Sequence, residues 1–297
     1  MVRFFRGAFS WNRAVGGVLL THTSFYEVAI AAGYCFVMLG FLLAAHSLGE
    51  DRPRVSSLVG AGLSFGLAVG CRPNYIPLVI VMVVMVTLRF RSSGKFAVAF
   101  AGSVVFCGAL LATYNYVRFQ NPFEFGIRYE LLAASTDLDN HFNHGIRNFL
   151  PGIYGLLLAP PSRWLCWFFR SMGLVWGSPI ALLGLCTPYV LRSAAAKGNV
   201  ELGSTRFTIY CIYVSAFSVL VALAFLGFTI GRYTVDFAPE FGLLSWCLLA
   251  VWWQTVHRLP QARQVRFRIV VIGTALYSVV LGVGMCVQLL RNNLICG

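Results

Sequence analysis

The chain is built from long apolar runs separated by short polar connections. Eight such runs can be marked: Ser24–Ser47, Ser57–Cys71, Tyr75–Leu88, Phe96–Tyr116, Met172–Leu191, Phe207–Thr229, Thr234–Gln254 and Ile269–Leu290. A helix rises about 1.5 Å per residue and a bilayer core is about 30 Å thick, so a run of about 20 apolar residues predicts a crossing helix. The second and third runs are shorter. Fifteen residues reach only about 22 Å. They are expected to be two short helices meeting at Arg72-Pro73, because proline cannot continue a helix interior and biases Arg72 towards an extended backbone. The predicted fold is all-α: a polytopic transmembrane helix bundle of about eight spans with one larger loop on the outer face.

Composition agrees with this pattern. Of 297 residues, 58% are hydrophobic, 15% aromatic and 11% charged. Ordinary soluble proteins carry roughly 25% charged residues. These values exclude a disordered chain, a coiled coil and a collagen-like fibre, and leave too little charge to cover a soluble domain. The nine cysteines form no Cys-x-x-Cys pair and lie mostly in apolar runs, which argues against a disulfide framework or a zinc site.

The net charge of +13 would suggest nucleic acid in a soluble protein. Its distribution points to orientation instead. The connections after the odd-numbered runs hold Arg52 and Arg54; Arg89, Arg91 and Lys95; Arg192, Lys197 and Arg206; and Arg258, Arg263, Arg266 and Arg268, twelve of the 23 basic residues. The turns after the second and sixth runs hold one each, Arg72 and Arg232. This alternation predicts odd-numbered connections in the cytoplasm. Membrane lipids are expected partners and nucleic acid is not.

Residues 24–297 read as one polytopic membrane domain, with residues 117–171 as the outer loop. Residues 1–23 form a basic amphipathic segment that the same topology places outside. It suits an interfacial segment, or the end of a span whose beginning is absent. No internal repeat, signal peptide or low-complexity tract is evident.

Ionisable groups beside spans are costly and mark candidate sites. Here they gather at the expected outer ends. Glu27 and Tyr26 begin the first run, Arg72 and Asn74 flank the break between the second and third, and Arg232, Tyr233, Asp236 and Glu240 begin the seventh. Arg232, Asp236 and Glu240 are spaced i, i+4, i+8 and are expected to share a helix face. Pro239 is expected to interrupt that helix and free backbone carbonyls near Asp236. Tyr26, Glu27, Asn74, Tyr233, Asp236 and Glu240 are expected to line one outward-facing cavity. Arg72 and Arg232 suit bidentate contact with a phosphate, or equally a position at the lipid headgroups.

In the outer loop, Asp137, Asp139, His141 and His144 could hold a divalent metal, although a solvated polar loop explains them as well. No other cofactor is expected. The aromatic clusters Trp164/Trp167/Phe168/Phe169 and Trp246/Trp252/Trp253 read first as membrane-interface belts.

Four stretches in order resemble bacterial members of the C-type membrane glycosyltransferase superfamily: HTSFYEVAIAAGYCFVMLGFLL (His22–Leu43), GLSFGLAVGCRPNYI (Gly62–Ile76), YNYVRFQNPFEFGIRYEL (Tyr114–Leu131) and GRYTVDFAPEFGLLS (Gly231–Ser245). The resemblance implies a multi-pass protein of the bacterial cytoplasmic membrane that moves a sugar from a polyprenyl-phosphate carrier to an outer-face acceptor. It implies lipid-phosphate contact for Arg72 and Arg232. In that superfamily the catalytic carboxylate lies in the first outer loop, between the first two spans. Residues 1–23 contain no Asp or Glu, so that residue has no counterpart and the catalytic residue is unassigned. The resemblance therefore implies a chain lacking the N-terminal spans and first outer loop, or one that has lost transferase chemistry. A multi-pass transporter or flippase and a non-catalytic membrane scaffold are the alternatives.

Overall fold

The computed structural model describes residues 25–49, 53–125, 145–160, 173–196, 203–226, 231–234, 236–256 and 260–296. The regular structure among these residues is all helical. In chain order the helices are α1 (Phe25–Leu48), α2 (Val55–Cys71), α3 (Ile76–Arg89), α4 (Gly94–Phe119), α5 (Gly145–Leu157), α6 (Leu174–Gly177), α7 (Thr187–Ala196), α8 (Gly203–Leu226), α9 (Gly231–Thr234), α10 (Ala238–Val256) and α11 (Gln261–Cys296). Two 3-10 segments, Pro73–Tyr75 and Pro179–Cys186, lead into α3 and α7.

Three helices are long and apolar enough to cross a membrane: Val28–Leu48 within α1, Gly94–Phe119 as α4, and Thr205–Phe225 within α8. They fall on the first, fourth and sixth apolar runs. Val55–Cys71, Pro73–Arg89, Pro179–Arg192 and Ala238–Val251 are shorter apolar helical stretches.

Helix α2 packs between α1 and α4, and α8 packs on α3, α5, α10 and α1. The α2–α4 crossing is close because Gly62 and Gly66 stand one turn apart on the contact face. A Cβ on Gly62 would lie 2.5 Å from the Phe100 carbonyl oxygen, and one on Gly66 would overlap the Cys107 side chain. Small residues at this spacing let two apolar helices approach when lipid offers no hydrophobic drive to associate. Across the same region Phe65 makes edge-to-face contacts with Phe41 and Phe100, at ring separations of 5.2 and 6.1 Å.

Arg89, at the end of α3, lies over the ring of Phe207 near the start of α8, and Arg206 donates to the Leu191 carbonyl in the middle of α7.

Three expectations are corrected. The fifth run, Met172–Leu191, is not a single helix but α6, a 3-10 segment and α7. Pro179 and Pro188 each lack the N–H a helix ladder needs, and at Gly184 a Cβ would stand 2.7 Å from the Phe241 carbonyl oxygen, so α10 fills that space. The seventh run starts later than expected, at Ala238. The segment 117–171 is not loop throughout, since it contains α5.

Candidate functional site

The site forms where two pairs of helices break at one end of the bundle. The first break is the α2–α3 turn. Arg72 is extended (φ −150°, ψ 117°) and its N–H bonds the Ala68 carbonyl, closing α2. Pro73 opens the following turn, where its missing N–H costs nothing because first-turn donors have no helical acceptor. The second break lies between α9 and α10. Asp236 N–H bonds the Tyr233 carbonyl at 3.1 Å and Phe237 N–H the Thr234 carbonyl at 3.4 Å, turning the chain before α10 begins.

These breaks revise the expected single helix face. Arg232 lies in α9, Asp236 in the turn and Glu240 in α10, so no continuous helix carries all three. Pro239 does not interrupt α10; it occupies the helix's second position, where proline is tolerated.

The turns bring the two breaks together. Arg72 Nη1 lies 3.2 Å from Asp236 Oδ1. Asn74 donates its side-chain amide to Asp236 Oδ2 at 2.8 Å. The Arg72 guanidinium lies 5.3 Å from the centre of the Tyr233 ring. Asp236 is fully buried, whereas 11% of the Arg72 side chain is exposed. The contact with Asp236 is an ion pair rather than a well-aligned hydrogen bond. The carboxylate thus engages one edge of the guanidinium. A planar group with five donors retains further N–H groups for a second anion.

Glu240 lies one helical turn beyond Asp236 and is also buried. Its Oε2 has no hydrogen-bond partner among the described residues. Tyr34 of α1 and Tyr75 of the α2–α3 turn lie within electrostatic reach of Glu240. Gly33 makes room for this arrangement, since a Cβ there would stand 2.9 Å from the Tyr75 ring. Tyr34 and Tyr75 were not among the expected site residues. They sit in apolar runs, and only the packing of α1 on the turn reveals their position.

The expected cavity residues therefore divide. Arg72, Asn74, Tyr233 and Asp236 meet directly, and Glu240 lies beside them. Asp236 and Glu240 are enclosed by helices rather than facing an open cavity. Tyr26 and Glu27 fall in the first turn of α1 and Arg232 in α9, but their side chains lie outside the described residues. Asp137, Asp139, His141 and His144, the expected metal ligands, also lie outside them, as does the cluster Trp164/Trp167/Phe168/Phe169. Among the described residues no group of three or more His, Cys, Asp or Glu side chains could hold a metal ion.

Fold and site together define an all-helical protein with helices able to cross a membrane and a buried Arg–Asp pair where helices break. No protein family, curated protein or solved structure matches the chain.

Proposed function

We propose that the protein is a multi-pass membrane glycosyltransferase of the bacterial cytoplasmic membrane, built on about eight crossings. It would take its sugar from a polyprenyl-phosphate carrier and pass it to an acceptor on the outer face. The observation that carries this reading is the cluster of Arg72, Asn74, Tyr233 and Asp236. It joins two of the stretches that resemble the superfamily, Gly62–Ile76 and Gly231–Ser245, which are distant in sequence.

In such a transfer the acceptor hydroxyl oxygen bonds the anomeric carbon of the sugar. The anomeric carbon–phosphate oxygen bond breaks, its electron pair leaves with the lipid phosphate, and the hydroxyl proton passes to a base. The protein must stabilise negative charge growing on that phosphate. A preorganised guanidinium in a largely dry site suits this task, because it need not reorganise as charge develops. Asp236 and Asn74 hold the turn that carries Arg72, and Arg232 of α9 is proposed as the second cation on the phosphate.

The test is transfer from a panel of undecaprenyl-phosphate hexoses by the full chain in lipid nanodiscs. Arg72→Ala should lower the rate by about 10²–10³-fold, the usual effect of removing one such donor. Unchanged transfer by Arg72→Ala and by Arg232→Ala would sink the assignment. The burial of Glu240 favours one other reading, a transporter with a carboxyl group inside the helix bundle. Ion-coupled uptake into vesicles, without sugar transfer, would select it.

A further inference from the structure

Helix α5 belongs to the segment expected to be an aqueous outer loop, yet its exposed face is apolar. Ile146, Leu150, Tyr154 and Leu158 follow one another at i, i+4, i+8 and i+12 along the α5 stretch, and are 83%, 74%, 55% and 51% exposed. The only charged residue on this helix, Arg147, stands in its first turn. The opposite face packs on α8, one of the helices long enough to cross a membrane. Phe149 stacks near Phe225 with ring centres 4.7 Å apart. Gly152 meets the backbone of Ala224, where any Cβ would overlap it. Both contacts lie at the Phe225 end of α8.

Backbone groups at the C-terminal end of α5 and just beyond it have partners within the protein. The last carbonyls of a helix have no helical partner and need one from elsewhere. Here the Leu158 carbonyl accepts from the Trp176 indole N–H at 3.0 Å. The Ala159 carbonyl accepts from Gly173 N–H at 2.9 Å, and the Tyr154 carbonyl takes both Leu158 and Ala159 N–H groups at 2.8 Å. The proline in the helix, Pro151, removes the N–H that would bond the Arg147 carbonyl. That carbonyl belongs to the one charged residue, at the end of α5 opposite the capped one.

We infer that α5 is a re-entrant helix whose Ile146–Leu150–Tyr154–Leu158 face lies against the acyl chains of the leaflet at the Phe225 end of α8. Thirteen residues span about 20 Å, too short to cross a core of about 30 Å but long enough to enter one leaflet. Arg147 sits at headgroup level. The capped C-terminal end lies deeper, where backbone groups must be satisfied by the protein itself. The lipid is the occupant because α5 packs at Phe225 and Ala224 on α8, a helix long and apolar enough to cross a membrane that itself exposes the apolar Val214, Phe217 and Phe225. The inference does not depend on the transferase reading.

Two labels applied to the unmodified full chain in lipid nanodiscs test it. Hydroxyl-radical footprinting reports water contact, and a lipid-soluble diazirine reports acyl-chain contact. Leu150, Tyr154 and Leu158 should be protected from radicals more than ten-fold relative to the urea-unfolded chain, and should take up the diazirine. Phe123, exposed after α4, should be labelled by radicals. Radical labelling of Tyr154 and Leu158 at the Phe123 level would overturn the inference, because the face would then meet water. Protection from both reagents would also overturn it, because protein would cover the face. Loss of transfer activity in Arg72→Ala leaves this result unaffected, so the two proposals fail separately.

Discussion

Asn74 donates its side-chain amide to Asp236 at 2.8 Å across 162 residues of chain. With the Arg72 ion pair, this bond ties the α2–α3 turn to the start of α10. Asp236 is fully buried, so each partner that remains after a substitution is left in a poorly solvating environment.

Asp236→Ala should therefore destabilise the fold by about 3 kcal/mol, the lower end of the cost of breaking a buried pair, because Arg72 keeps partial access to solvent. Asp236→Asn keeps an acceptor for Asn74 and should lose less than half as much. Thermal unfolding in detergent measures both. Equal stability of wild type and the alanine variant would show that the pair does not hold the turn.

Arg72→Lys should separate structure from chemistry. Lysine keeps a positive charge near Asp236, so it should cost less stability than Asp236→Ala, which leaves Arg72 with no partner charge. It lacks the planar fork that grips a phosphate through two parallel bonds, so sugar transfer should fall about ten-fold or more. Comparing melting temperature with transfer rate in one preparation reads the two effects apart. Matching losses in both would place Arg72 in the framework alone.

Glu240→Gln should leave the melting temperature unchanged or raise it. Oε2 is buried without a hydrogen-bond partner among the described residues, and an amide of the same shape removes a group that would be costly to ionise there. If the carboxyl group serves the site, the same variant should lose activity, the usual trade where a costly group is kept for function. A clear fall in melting temperature would show that the carboxyl group holds the fold together.

The α2–α4 crossing gives a contrast between glycines. Gly66→Ala should cost about 1–3 kcal/mol, since the added methyl overlaps Cys107 and the helices must move apart. Gly108→Ala, on α4 with open space around it, should shift stability by less than about 1 kcal/mol. Melting temperatures of the two variants give the comparison, and equal effects would contradict the crossing geometry.

The residues themselves carry the helical character and the ability to cross a membrane. Uninterrupted runs such as Phe96–Tyr116 hold no charged residue, and a helix is the local way to satisfy their backbone. The break at Arg72-Pro73 was equally legible, because proline acts on its own neighbours through sterics and a missing donor. Residue type alone also marked Arg72 and Asp236, since charge beside apolar runs is expensive. Their pairing was not legible. It depends on where α2 ends against α10, and periodicity carries no information about contacts between distant turns. The i, i+4, i+8 spacing of Arg232, Asp236 and Glu240 misled, because a turn at Asp236 interrupts the helix that the count assumes. Helix α5 was hidden because one short apolar stretch within a long polar segment fits either a core helix or a half-crossing. Only its packing on α8 and the partners of its last carbonyls distinguish the two. Local sterics and solvation are properties of neighbouring residues, so sequence determined them; pairing and burial depend on distant surfaces fitting together, so tertiary structure decided them.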